Sequence, residues 1–414
     1  MNNFQKSAFL ALFTALALIG CKNGQEEAEK ENETEIFIAE VKQEQIPDKR
    51  VALFNVEGIA RDGEYVLRGE SNQPEAVASL KSKLESAGIN YSDSIQMLPS
   101  KDLGDKTVAL VRTSVANIRS NPAHSAELAT QATLGTPLKV LKQDGDWYLV
   151  QTPDAYLAWV DHGGITRLTQ KELAAWKAAE KVIFLEPFGQ AYEAPSAQSG
   201  TVSDVVAGNI FELTGRKNGF FEIKYPDGRT AYIPQAQAQL YEEWIKSVDQ
   251  SEEDLVQTSK KLMGLPYLWG GTSPKGVDCS GFTKTIFFMN GMVIPRDASQ
   301  QVHTGTVVDS LRNFENLKPG DLLFFGTPAT DSTKEKVVHV GMWIGDNKFI
   351  HSSGNVHISS VDKNAEDYDD FNYQRYLRTK RLVGVDDPNL TLLKRSDLFM
   401  AAKTEKDTAA VPRM

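Results

Sequence analysis

Apolar and polar positions divide the chain into segments of different character. AFLALFTALALIG (8–20) is a predominantly apolar run, shorter than the ~20 residues of a membrane-spanning helix. Residues 21–49 are charged and poor in apolar side chains, which predicts a solvated tether. Over 50–105, VALFNVEGIA and EYVLRGES alternate, and PEAVASLKSKLESAG puts Ala76, Leu80 and Leu84 on one helix face. This predicts a small α/β unit of β-β-α form. Residues 106–240 repeat themselves: Pro122, Gly135, Trp147, Pro153-Asp154 and Trp159 recur as Pro195, Gly208, Phe220, Pro226-Asp227 and Tyr232, at an offset of 73. Each copy is a run of short strands with turn signals, which predicts two small β-barrels, 106–169 and 182–240, joined by a helix over 170–181. YEEWIKSVDQ starts a further helix and leads into a last domain over 251–384. Residues 385–414 are polar and irregular, which predicts a mobile tail.

Two patterns in the last domain place its chemistry. Phe282, Ile286 and Met289 form an apolar helix face, entered from a loop broken by Gly270, Gly271, Pro274 and Gly276. Cys279 stands at that entry, flanked by Asp278 and Ser280. Helix starts carry unpartnered N–H groups and a positive dipole, so the thiol pKa is predicted to fall. The alternative is a buried, inert cysteine. Further on, Val338, Val340, Met342 and Ile344 alternate with His339, Gly341 and Trp343, a strand pattern. Gly345-Asp346-Asn347 signals a turn, and KFIHSSG returns. With a three-residue loop, Trp343 opposes Phe349, Ile344 opposes Lys348 and Gly341 opposes His351. His339 and His351 then share a face as diagonal neighbours, about 7–8 Å apart. One more loop residue would separate them. A nucleophilic cysteine needs a base, and the base an orienting group. Two histidines on a hairpin also fit a metal site, but no clear fourth ligand is near in sequence, so no metal and no cofactor is expected.

Composition adds less. At 414 residues and net charge −10 the chain spans several domains and disfavours nucleic acid as a partner. Leu18-Ile19-Gly20-Cys21 resembles a bacterial lipobox. That resemblance implies a signal peptide over 1–20, lipidation of Cys21, and a protein held by a lipid anchor at the cell envelope, on the periplasmic side of a membrane or the cell surface. Cys279 then has no disulfide partner, which favours a working thiol.

The quoted motifs resemble a known family. YLWGG (267–271), DCSGF (278–282), PRDASQQ (295–301), LKPGDLLFF (317–325), HVGMWIG (339–345) and FIHSSG (349–354) match, in order, the NlpC-type cysteine peptidases that cut bacterial wall peptides. The two barrels resemble bacterial SH3-like domains. The implied architecture is a papain-like α+β catalytic domain preceded by two SH3-like barrels and the small α/β unit. Implied roles are Cys279 as nucleophile, His339 as base and then acid, and His351 as the orienting residue. The implied bond joins D-glutamate, through its γ-carboxyl, to a diamino acid, either diaminopimelate or lysine.

Members with paired barrels act on short fragments with a free N-terminal L-alanine, and there the first barrel helps close the site. The resemblance therefore carries substrate contacts to Glu127 and Tyr156 of the first barrel and to Tyr267, Asp278, Ser280 and Asp297 of the catalytic domain. Arg296 faces the substrate carboxylate or pairs with Asp297 or another acid. The barrels as plain spacers remain an alternative. So do a peptidoglycan-binding module without turnover and an acyl transferase using the same thioester. Oligomeric state is not legible.

Overall fold

The computed structural model describes residues 32–61 and 63–401. The apolar leader, Cys21, the first part of the expected tether and residues 402–414 lie outside the described residues.

The tether expectation fails over its second half. Asn32 caps a helix, Glu33–Gln45, that buries Thr34, Ile38 and Val41. These sit at i, i+4, i+7, a sparse apolar stripe that the surrounding glutamates hide in a composition average. The stripe packs on the next unit with Leu67, Leu80 and Leu84. That unit has one strand more than expected. Phe54–Arg61 pairs antiparallel with Glu64–Ser71, and helix Pro74–Ser86 crosses over to a parallel partner, Tyr91–Met97.

Both barrels form, and their topologies are identical. Numbering the seven strands of each in chain order, from Val108–Val111 and from Lys181–Phe184, the order across both sheets is 7-1-4-5-6-2-3. The joining helix, Gln170–Ala178, starts at a Thr169/Glu172 capping box. The second barrel buttresses the first: Asn209 Nδ2 donates to the Ser114 carbonyl at 2.8 Å, and the Ile210 N–H donates to the Leu134 carbonyl.

In the last domain six strands form one sheet, in the order 306–309, 376–381, 322–327, 336–345, 348–353, 355–360. The cysteine helix, Cys279–Met289, lies on one face. Its Phe282 and Ile286 join Leu322, Phe324, Val340, Met342 and Ile350. Leu323, Phe325, Trp343 and Phe349 fill the other face, which explains why LLFF reads as continuously apolar. The expected mobile tail is wrong up to 401. Thr391–Leu392 pairs with Met292–Val293, and Leu393 and Phe399 are buried beside Tyr241 and Trp244. Six apolar side chains in a polar stretch, Leu390, Leu392, Leu393, Leu398, Phe399 and Met400, anchor it.

Candidate active site

Asp278 is the N-cap of the cysteine helix; its carboxylate accepts from Gly281 N–H at 2.7 Å and Gly270 N–H at 2.9 Å. A Cβ on Gly281 would stand 1.9 Å from the Gly271 carbonyl oxygen, so only glycine lets the helix start press on the loop. Cys279 is the first helical residue and is 7% exposed. Its sulfur lies against the N–H groups of Val340 and Ser280, which favour the thiolate. Burial works against them, with the Asp278 charge adding to it, and pushes the thiol up to about 12. This corrects the expected fall. Two N–H groups do not offset the loss of water around the sulfur.

The hairpin turns on two residues. Asp346 (φ 52°) and Asn347 (φ 59°) both take the left-handed conformation, as a twisted two-residue hairpin turn requires. Trp343 opposes Phe349 as expected, but Gly345 faces Lys348 and Ile344 is bulged out. The bulge supplies the residue that the shorter loop removes, so the face of the histidines is kept. His339 Nε2 lies 2.8 Å from His351 Nδ1. Gly341 leaves the space: a Cβ there would be 2.8 Å from the Phe349 ring and 3.2 Å from His351 Cβ.

Alternation places Val340 and Met342 in the core with Cys279, and His339 beside Phe325 on the other face. The ladder between the two hairpin strands stops at Met342–Ile350. Beyond it Val340 N–H turns to the sulfur, and Ser352 Oγ donates to the Val277 carbonyl at 2.9 Å. The helix start is thus wedged where the strands part. Burial holds both rings neutral, His339 down to about 3 and His351 down to about 2; Arg375 and His357 add to the first shift, His339 and His357 to the second. A neutral imidazole can accept a proton. With His339 Nε2 taken by His351, Nδ1 is the ring nitrogen that remains to accept a proton.

The expected substrate residues split into two sets. Asp278, Ser280 and Arg296 are turned inward. Arg296 is 1% exposed and forks onto Asp278, Nη2–Oδ2 2.6 Å and Nη1–Oδ1 3.1 Å, with Nη1 also on Ser280 Oγ at 3.0 Å. Arg296 therefore anchors the helix cap and does not face a ligand carboxylate, and Asp278 is saturated by its own partners. Glu127 is exposed, Tyr267 and Asp297 are partly exposed, and the Tyr156 ring is buried in the first barrel's core. The Tyr156 hydroxyl donates to Asp297 Oδ2 at 3.2 Å, and exposed Glu127 accepts from the Trp269 indole N–H. The neighbouring Cys279 and Asp278 charges add to burial in pushing the Tyr267 hydroxyl up.

Several participants were not singled out by sequence. Gln131 of the first barrel accepts from Thr272 N–H at 3.0 Å and Ser273 Oγ at 2.8 Å. A Cβ on Gly270 would stand 2.1 Å from the Leu128 carbonyl oxygen, so the barrel's backbone rests on the WGG loop. Arg50 Nη1 donates to Asp297 Oδ2 at 2.7 Å and Ser299 Oγ at 2.9 Å. His357 adjoins His351, and the one-residue Gly354 turn in HSSGNVH was the available signal, because it sets the two opposite each other. Among the described residues no group of three or more His, Cys, Asp or Glu is placed to hold a metal.

A thiol at a helix start, and a hydrogen-bonded pair of imidazoles on the antiparallel sheet that the helix packs against, are the residues of a cysteine hydrolase of papain-like fold. The chain belongs to the NlpC/P60 family, whose model matches residues 264–375; a bacterial SH3 domain model matches 114–166. The gamma-D-glutamyl-L-lysine dipeptidyl-peptidase of Bacillus cereus is 34% identical over 55% of this chain and 67% of its own. The enzyme of that name from Bacillus subtilis is 30% identical over 54% and 72%. A solved NlpC/P60 family structure from Bacillus cereus superposes with a TM-score of 0.57 at 27% identity, over 67% of this chain and 99% of that one.

Proposed function

We propose that the protein hydrolyses the γ-D-glutamyl–diamino acid bond of peptidoglycan-derived peptides, releasing a dipeptide from fragments with a free N-terminal L-alanine. Cys279 Sγ gives its proton to His339 Nδ1 and attacks the γ-carbonyl. The oxyanion forms beside the first N–H groups of the cysteine helix. His339 protonates the leaving amine, and water, activated by the same ring, resolves the thioester. His351 fixes the ring: His339 Nε2–H donates to His351 Nδ1, so Nδ1 of His339 stays a free acceptor. The 2.8 Å contact between the rings carries this reading. The named activity of the two Bacillus relatives supports the substrate class.

The same reading assigns the substrate ammonium to exposed Glu127 of the first barrel and to the Tyr156–Asp297 pair, whose Asp297 Oδ2 also accepts from Arg50. Asp278 keeps its structural role. The first barrel thereby sets the length of peptide accepted. The test is mass spectrometry of L-Ala-γ-D-Glu-diamino acid peptides, with and without N-acetylation. Free peptides are cleaved and acetylated ones spared; equal cleavage of both contradicts the ammonium site.

We further infer that Cys21 carries a lipid that holds the enzyme at the cell envelope. A tagged fatty acid should label the wild-type protein and not Cys21→Ser; labelling of both overturns it.

A further inference from the structure

The hydrogen-bonded histidines do not end at His351. Its Nε2 lies 3.1 Å from His357 Nε2, on the adjoining strand, Asn355–Ser360. His357 Nδ1 in turn lies 3.0 Å from its own strand's Asn355 carbonyl and 3.1 Å from Asn355 Oδ1. His339 and His351 are buried, and His357 is partly exposed.

One set of tautomers fits a competent base. If His339 Nδ1 must accept from the thiol, Nε2 carries the hydrogen and donates to His351 Nδ1. His351 then carries its hydrogen on Nε2 and can donate to His357 Nε2. His357 carries its own on Nδ1 and donates to Asn355. Every bond runs in one direction, from the core to the surface.

We propose that His357 is a positioning residue, acting through His351 as the surface terminus of a three-histidine proton relay that carries the positive charge formed at His339 out to solvent. The inference rests on the reading of Cys279 and His339 as nucleophile and base. When Sγ gives its proton to His339 Nδ1, the His339 Nε2 proton passes to His351 Nδ1. The His351 Nε2 proton passes to His357 Nε2. The result is a thiolate, two neutral rings and one imidazolium at the surface. Protonation of the leaving amine from His339 Nδ1 runs the hops backwards and restores the resting tautomers. No net proton is gained or lost.

The relay answers a difficulty that the site creates. A thiolate beside an imidazolium is costly where burial disfavours both charges. Moving the cation to a partly solvated ring relieves one half of that cost. The groups around the relay are compatible with it. From the helix Asp370–Gln374, the N-cap Asp369 carboxylate lies 3.9 Å from His351 Nε2 and favours a cation there. The Arg375 guanidinium, which disfavours a cation on His339, drives it the same way. Ser359 Oγ, also 3.1 Å from His351 Nε2, is the competing partner.

The test compares His357→Gln, His357→Ala and Ser359→Ala with the wild-type full chain on one defined peptide. Glutamine can keep the hydrogen bond to His351 but cannot hold the charge. The relay predicts kcat lowered about tenfold or more in both His357 variants, with KM unchanged, thermal midpoints close to wild type, partial rescue of His357→Ala by added imidazole, and near-normal turnover in Ser359→Ala. Full activity in His357→Gln, or loss confined to Ser359→Ala, overturns it. Cys279→Ala run beside them separates the two readings: if that variant turns over, the nucleophile is wrong; if it is dead while both His357 variants match wild type, only the relay is.

Discussion

Burial keeps His339 and His351 neutral, and that sets how the molecule responds to acid. An unfolded histidine takes up its proton near pH 6.5; in the folded chain burial holds the His339–His351 pair neutral to well below that pH. Over that interval the unfolded chain binds more protons. Stability is therefore full above pH 6.5 and falls as pH drops, by up to about 1.4 kcal/mol per pH unit for each ring. Urea midpoints from pH 7 to 4 should show this slope, and His351→Gln should flatten it. Arg296 makes a second residue-scale prediction. Arg296→Ala leaves Asp278 as an uncompensated buried carboxylate, a cost of about 3–5 kcal/mol by denaturant titration. Chain order could not reveal that inward fork. PRD places arginine and aspartate side by side, but the partner chosen, Asp278, is 18 residues back and becomes adjacent only when the helix cap forms.

At the scale of elements, the helix and the hairpin were legible and their junction was not. Phe282, Ile286 and the alternation around His339 gave both elements, because apolar period follows secondary structure directly. The hairpin register was correct near the histidines for a partly mistaken reason, since a bulge at Ile344 replaced the third loop residue. The Cys279 thiol shift was misread because a helix start was visible in sequence and burial of the sulfur was not. Gly341 tests the junction: Gly341→Val drives methyls into Phe349 and His351. We expect a loss of more than about tenfold in kcat through the displaced imidazole, with binding of a non-cleavable peptide, measured by calorimetry, kept. Unchanged turnover would separate His351 from catalysis.

At the scale of the molecule, the tandem repeat announced the barrels, while their unequal use was only partly legible. Tyr156 and Glu127 marked the first barrel as different. Its seating on the catalytic domain depends on Gln131, on the Leu128 carbonyl and on a buried pair, Lys284 Nζ–Asp154 Oδ2 at 2.6 Å. None of these has a sequence signature. The N-terminal unit carried no role that the sequence could show, yet Asp48 and Arg50, just before its first strand, reach Gln300 and Asp297. Burial lowers the Lys284 pKa, and Asp154 opposes the shift. Asp154→Ala strands that ammonium, so the barrel should loosen: about 3–5 kcal/mol of stability lost, and faster proteolysis between the barrels and the catalytic domain. Unaltered melting and proteolysis would show that the pair does not hold the interface.

The central claim is that Cys279 carries the acyl group, and trapping it is the most direct measurement. Wild-type enzyme is mixed with L-Ala-γ-D-Glu-diamino acid peptide, acid-quenched within the first turnover and digested for mass spectrometry. The account predicts an alanyl-glutamyl thioester on the peptide containing Cys279, with neither adduct nor free diamino acid from Cys279→Ala. Release of diamino acid by Cys279→Ala at the wild-type rate would contradict it.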